Sequence, residues 1–121
     1  LDAGLTPADM AADVVDAITA PQFTGVERDR AIEAFAAIPA DGLRAAVKCL
    51  PDHDVADRLD EVASPTLVIV GELDEETPVS YAETLAAGIP ESELVVIRGA
   101  GHLTPSESPE EFNRLLLDFF T

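Results

Sequence analysis

Pro65-Thr66-Leu67-Val68-Ile69-Val70-Gly71-Glu72-Leu73-Asp74-Glu75-Glu76-Thr77-Pro78 decides the fold of this chain. Thr66–Val70 is a continuous apolar run, not an alternating one. Such a run, bounded by turn residues, predicts a strand buried on both faces, as in a parallel sheet. Gly71 eases the turn that follows, and Asp74 sits on that turn. The next run of the same kind, Leu94-Val95-Val96-Ile97, leads into Gly99-Ala100-Gly101-His102. Between the two runs, Ser80–Ala87 reads as a helix with Tyr81, Leu85 and Ala82 inward. Strand, helix, strand, helix predicts a right-handed crossover. That crossover sets an acid and a histidine beside each other, each just beyond the end of a strand.

In open α/β sheets ligands bind outside the carboxyl ends of the strands. A neutral imidazole there accepts a proton from a nucleophile, and a carboxylate on its other nitrogen fixes the tautomer. Asp74 and His102 are therefore the candidate orienting acid and general base. Taken alone, Asp74 reads equally well as an Asx turn or a helix-start acid. Glu72, Glu75 and Glu76 compete with it, but Glu75 and Glu76 lie nearer the helix start, where acids are favoured anyway. His53, between Asp52 and Asp54, fits a solvated or capping role. His102 has no His or Cys at ligand spacing, so neither a metal nor any other cofactor is expected. The Gly99-Ala100-Gly101 turn is not followed by a Lys-bearing helix, which argues against a phosphate cradle. Asp74 and Glu72 could be imagined as a glycosidic carboxylate pair, but nothing else marks a sugar site.

Outward from this segment the grammar changes. Residues 1–60 read as helices only. Thr6-Pro7-Ala8-Asp9 supplies a cap, a first-turn proline and a favourable acid. Met10, Val14 and Ile18, with Val15, make an apolar stripe that Pro21 ends. A second helix is expected from about Glu27 to Ile38, with Ile32, Phe35 and Ile38 on one side and Pro39 as its stop. A third, from about Asp41 to Leu50, carries Leu43, Ala46, Val47 and Leu50, and Pro51 stops it. Asp52–Val62 reads as a short helix and connector. At the other end, Ser108-Pro109-Glu110-Glu111 signals the closing helix with a cap, a proline and a capping-box acid. Phe112, Leu115, Leu116, Phe119 and Phe120 form its apolar face.

The 121 residues allow at most one domain, or part of one. Seven cations against 24 acids give a net charge of −17. Lysine occurs once, at Lys48. Such a surface repels nucleic acid and anionic membranes, so neither is an expected partner. It is a solubilising surface, and it also permits adaptation to high salt. Cys49 is the sole cysteine; no internal disulfide is possible, and an inert, partly buried thiol is expected. No apolar run approaches a membrane span, and a cytoplasmic location is expected. Leu1-Asp2-Ala3-Gly4 has neither an initiator Met nor a basic leader, which hints at a chain cut from something longer. Two parallel strands this apolar want neighbours on both edges. The Thr66–Val70 edge is thus expected to meet the rest of its own domain, a second polypeptide or another copy.

Residues 65–78, Gly99–His102 and Glu107-Ser108-Pro109-Glu110-Glu111-Phe112 together resemble the α/β-hydrolase superfamily. The order acid-then-histidine fits that family's Ser…Asp…His sequence. The resemblance implies an α/β fold: two parallel strands with flanking helices, the C-terminal part of the core (61–121), preceded by a helical cap or lid segment (1–60). The likeness is to members such as 3-oxoadipate enol-lactonase-like and related carboxylic ester hydrolases. It implies Asp74 as triad acid, His102 as triad base, and a small carboxylic ester or lactone as substrate of the complete enzyme. The family's G-x-S-x-G elbow is missing: Ser64, Ser80, Ser92, Ser106 and Ser108 all lack its glycines. The nucleophile and oxyanion loop would lie upstream, so the chain alone is expected to be inactive. The alternative is an inactive, truncated module that self-associates through its sheet edge.

Overall fold

The computed structural model describes residues 4–50 and 54–121. They fall into two units. The first holds the residues up to Ala17 and Pro21–Asp54; the second holds Ile18–Ala20 and Val55–Thr121.

The first unit is helical. Helix α1 spans Pro7–Ile18. Thr6 and Asp9 cap it reciprocally: the Thr6 N–H and hydroxyl donate to Asp9 Oδ2 at 2.7 and 2.6 Å. The buried row is Pro7, Ala11 and Val15, while Met10, Val14 and Ile18 are half-buried. The fully buried row thus sits one residue round from Met10, Val14 and Ile18, and shares Val15 with the expected stripe. Helix α2 covers Gly25–Ala36 and α3 covers Ala40–Cys49. Arg28 of α2 makes a two-pronged ion pair with Asp16 of α1, at 2.6 and 2.7 Å. Ile38 falls beyond α2. Helix α3 has no buried residue, and Val47 and Leu50 are exposed. Of the rest of the face expected there, Leu43 is half-buried and Ala46 is exposed. Cys49 is also exposed rather than partly buried, since it lies in the exposed last turn of that helix. Pro51 and His53 lie outside the described residues.

The second unit holds the sheet. A 3₁₀ helix at Ala56–Glu61 leads to β1, Thr66–Gly71. Helix α4, Val79–Gly88, returns the chain to β2, Ser92–Ile97. The strands pair in parallel, from Thr66 opposite Ser92 to Gly71 opposite Ile97. Burial is complete only toward their carboxyl ends, at Val70, Gly71 and Ile97. The rest is half-buried or open, because the sheet has two strands among the described residues and much of its surface is uncovered.

Helix α4 lies against both strands and the 3₁₀ helix. Its inward residue is Ala82, with Ile89 just past its end. Tyr81 and Leu85, expected inward, point out, at 62 % and 41 % exposure. A small residue wins because the helix packs closely: a Cβ on Gly88 would lie 2.6 Å from Leu59 Cδ1. A short helix α5, Thr104–Glu107, follows β2, and α6 spans Pro109–Phe120. On α6, Phe112, Leu115, Leu116 and Phe119 are half-buried, whereas Phe120 is exposed. Ser108 makes no side-chain cap; it doubles as the last residue of the α5 turn, its N–H donating to the Thr104 carbonyl at 2.9 Å. No helix among the described residues is long and apolar enough to cross a membrane.

Candidate active site

The parallel register sets the ends of β1 and β2 level, and the two loops that follow are stitched together. The Glu72 N–H donates to the Ile97 carbonyl at 2.9 Å, and the Leu73 N–H to the Ala100 carbonyl at 2.8 Å. Glu72 Oε2 in turn accepts from the Gly99 N–H at 2.9 Å. No side chain fits at Gly71: a Cβ there would collide with the carbonyl oxygens of Ala100 and Gly101. Gly99 has φ +70°, a left-handed turn that glycine adopts freely. The glycines of the two motifs thus let two backbones meet.

Asp74 and His102 are held across this junction. His102 Nδ1 lies 2.9 Å from Asp74 Oδ2. The Asp74 side chain is 5 % exposed and that of His102 37 %. A carboxylate only accepts, so Nδ1 carries the proton in this contact and Nε2 is left as the ring's acceptor. Among the described residues Nε2 has no hydrogen-bond partner.

Asp74 is held by more than the histidine. Its Oδ1 accepts from the N–H groups of Glu76 and Thr77, at 3.0 and 2.9 Å. The Thr77 hydroxyl donates to Oδ2 at 2.9 Å and lies 3.3 Å from Nδ1. Asp74 is therefore an Asx-turn residue and the histidine's hydrogen-bond partner at once. Burial pushes its carboxyl up. The Thr77 N–H, the His102 ring and the Thr77 hydroxyl outweigh that, and hold it below the usual aspartate value. It is a fixed anion at neutral pH, as an orienting acid must be.

The sequence did not single out Thr77 or Glu107. Glu107 accepts three backbone N–H groups around the histidine loop. Glu75 and Glu76, the competing acids, are exposed. Among the described residues no group of three or more His, Cys, Asp or Glu side chains could hold a metal ion.

A parallel strand pair with an acid after one strand, a histidine after the next and flanking helices has the architecture of the C-terminal portion of an α/β-hydrolase core, and solved α/β-hydrolase structures superimpose on it. The family model Abhydrolase_4, described as TAP-like protein, matches residues 43–121, more than half of the chain, and the chain belongs to that family. It is 41 % identical over 68 residues to a proline iminopeptidase of Thermoplasma volcanium, covering 56 % of this chain and 23 % of the relative. It is 44 % identical over 66 residues to a 2-hydroxy-6-oxononadienedioate/2-hydroxy-6-oxononatrienedioate hydrolase of Pseudomonas putida, covering 54 % and 23 %. A thermophilic esterase from Thermogutta terrifontis superimposes with a TM-score of 0.85 at 28 % identity, covering 94 % of this chain and 43 % of that one. The chain thus spans less than half the length of that solved relative and matches about a quarter of the curated ones.

Proposed function

We propose that this chain is the acid–base part of an α/β-hydrolase that cleaves a carboxylic ester or lactone. The observation that carries the reading is the 2.9 Å contact from His102 Nδ1 to a buried, anionic Asp74. In the complete enzyme His102 Nε2 takes the proton of a nucleophile's hydroxyl as its oxygen bonds to the substrate carbonyl carbon. Asp74 stabilises the imidazolium so formed. The imidazolium gives the proton to the departing alkoxide oxygen. A water, deprotonated by the same nitrogen, then bonds to the acyl carbon; the bond from that carbon to the nucleophile's oxygen breaks, and the imidazolium returns the proton to this oxygen. Residues 1–60 serve as a cap over the acyl or lactone group, and residues 61–121 as the core part. The esterase among the solved relatives supports an oxygen ester. The curated relatives, by name a proline iminopeptidase and a 2-hydroxy-6-oxononadienedioate/2-hydroxy-6-oxononatrienedioate hydrolase, support hydrolysis as the reaction class.

The test is a p-nitrophenyl ester assay of the chain alone, and of the chain combined with an α/β-hydrolase N-terminal half that carries G-x-S-x-G. The chain alone should be inactive and the combination active. In the combination His102→Ala should abolish turnover, and Asp74→Asn should lower kcat by about 10⁴-fold through the wrong tautomer. Robust hydrolysis by the chain alone, lost in His102→Ala, would overturn the proposal. A second reading is favoured by the two-stranded sheet, whose strands each present an unpaired edge among the described residues. On that reading the chain is a non-catalytic module that self-associates along β1. It requires a dimer by light scattering, no activity with any partner half, and indifference to Asp74→Asn.

A further inference from the structure

Glu107 takes no part in the acid–base pair, yet its carboxylate is bound to backbone on three sides. Oε2 accepts from the Ala20 N–H at 2.8 Å and from the Gly101 N–H at 2.9 Å. Oε1 accepts from the Leu103 N–H at 2.9 Å. Gly101 and Leu103 are the two chain neighbours of His102. The His102 N–H itself donates to the Ile18 carbonyl at 2.8 Å. Three successive amides, 101 to 103, are thus held, two of them by one side chain. There is no slack beneath them: a Cβ on Gly101 would lie 2.8 Å from both the Ala20 nitrogen and the Ile18 oxygen.

This arrangement needs an acceptor at each end of the side chain. An ionised carboxylate accepts at both oxygens and donates at neither. Glutamine has the same shape, but one end becomes an NH₂ group, which would face an N–H with another donor. Helix α5 exists to make the geometry: its single turn folds Glu107 back over the loop that precedes it. Asp74 fixes the imidazole, while Glu107 fixes the backbone from which the imidazole hangs.

We propose that Glu107 is a positioning residue, which holds the His102 backbone in the one place from which Nδ1 meets Asp74. The proposal rests on the acid–base reading of that pair. If it holds, the neutral His102 ring of the unmodified chain is locked with its proton on Nδ1, and the amides of Ala20, Gly101, His102 and Leu103 exchange slowly with solvent.

The experiment is nitrogen NMR of the ring with amide exchange, on the unmodified chain and on Glu107→Gln. In the variant the four amides should exchange at least ~10-fold faster. His102 is the informative one, because Glu107 does not touch its N–H. The ring nitrogens should move toward a mixture of tautomers, while the β1–β2 ladder amides stay protected. A Glu107→Gln ring and His102 amide identical to the unmodified ones would overturn the proposal. So would fast exchange of Ala20, Gly101 and Leu103 in the unmodified chain. Loss of the ladder amides in the variant would also overturn it, since Glu107 would then support the whole unit and not His102 in particular. In an active recombined hydrolase, Glu107→Gln should lower kcat by ~10-fold with KM unchanged. Absence of hydrolysis alongside the expected ring change would count against the hydrolase reading and leave the positioning role standing.

Discussion

Thr77 shows how much one hydroxyl carries at this site. It donates to a carboxylate oxygen that also accepts the hydrogen bond from the histidine Nδ1–H. Valine would keep its shape and lose the donor, leaving the buried anion one bond short. Thr77→Val should therefore cost about 1–2 kcal/mol in urea unfolding. Thr77→Ser, which keeps the hydroxyl, should cost less. Asp74 and His102 were legible in the sequence because each follows a buried strand at once, and a crossover can do little but bring them together. Thr77 and Glu107 were not. Glu107 resembles Glu110 and Glu111, acids near a helix start, and only its fold-back shows that it reaches Ala20 and not solvent.

At the scale of elements, α4 reveals what periodicity leaves open. Tyr81, Leu85 and Ala82 all lie on plausible inward faces, and side-chain size favours the first two. Close packing of the helix on the 3₁₀ turn and sheet selects Ala82 instead. Enlarging it overpacks the contact. Ala82→Leu should destabilise by about 1–3 kcal/mol, and Tyr81→Ala should stay within about 0.5 kcal/mol. A lower urea midpoint for Tyr81→Ala than for Ala82→Leu would reverse the assignment. Helix α1 repeats the lesson, since Ala11 lies deeper than Met10 or Val14. Helices and strands were found from the apolar pattern; the exact face was not, because it depends on how near the neighbour comes. The short α5 escaped notice altogether, hidden between the histidine turn and the proline that opens α6.

Over the whole molecule, the −17 charge sets the background for acid stability. Asp74 has a lowered pKa in the folded state. Its stabilisation is complete above the ordinary aspartate range and is lost as pH falls through its own, lower value. Thr6 lowers Asp9, Arg28 lowers Asp16 and Arg58 lowers Glu61; these act in the same direction, but at exposed sites that solvent screens. Relief of surface repulsion works the opposite way as acids are protonated. Asp74→Asn separates the two: its stability should fall less steeply below the ordinary aspartate range than that of the unmodified chain, followed by urea unfolding at stepped pH. Equal slopes would show that Asp74 is not the group concerned.

The bond from Ala20 to Glu107 joins positions 87 apart in the chain. The Asp74–His102 contact joins positions only 28 apart. Loop closure makes the longer connection slower to form, since its entropy must be met before the bond rewards it. The strand pair, its two loops and the Glu107 bonds to Gly101 and Leu103 all join nearby sequence, whereas the Ala20 bond and the His102 N–H bond to Ile18 need a distant segment to arrive. A chain in which that segment has yet to dock would carry Asp74 and His102 without the Ile18 and Ala20 contacts to the histidine loop.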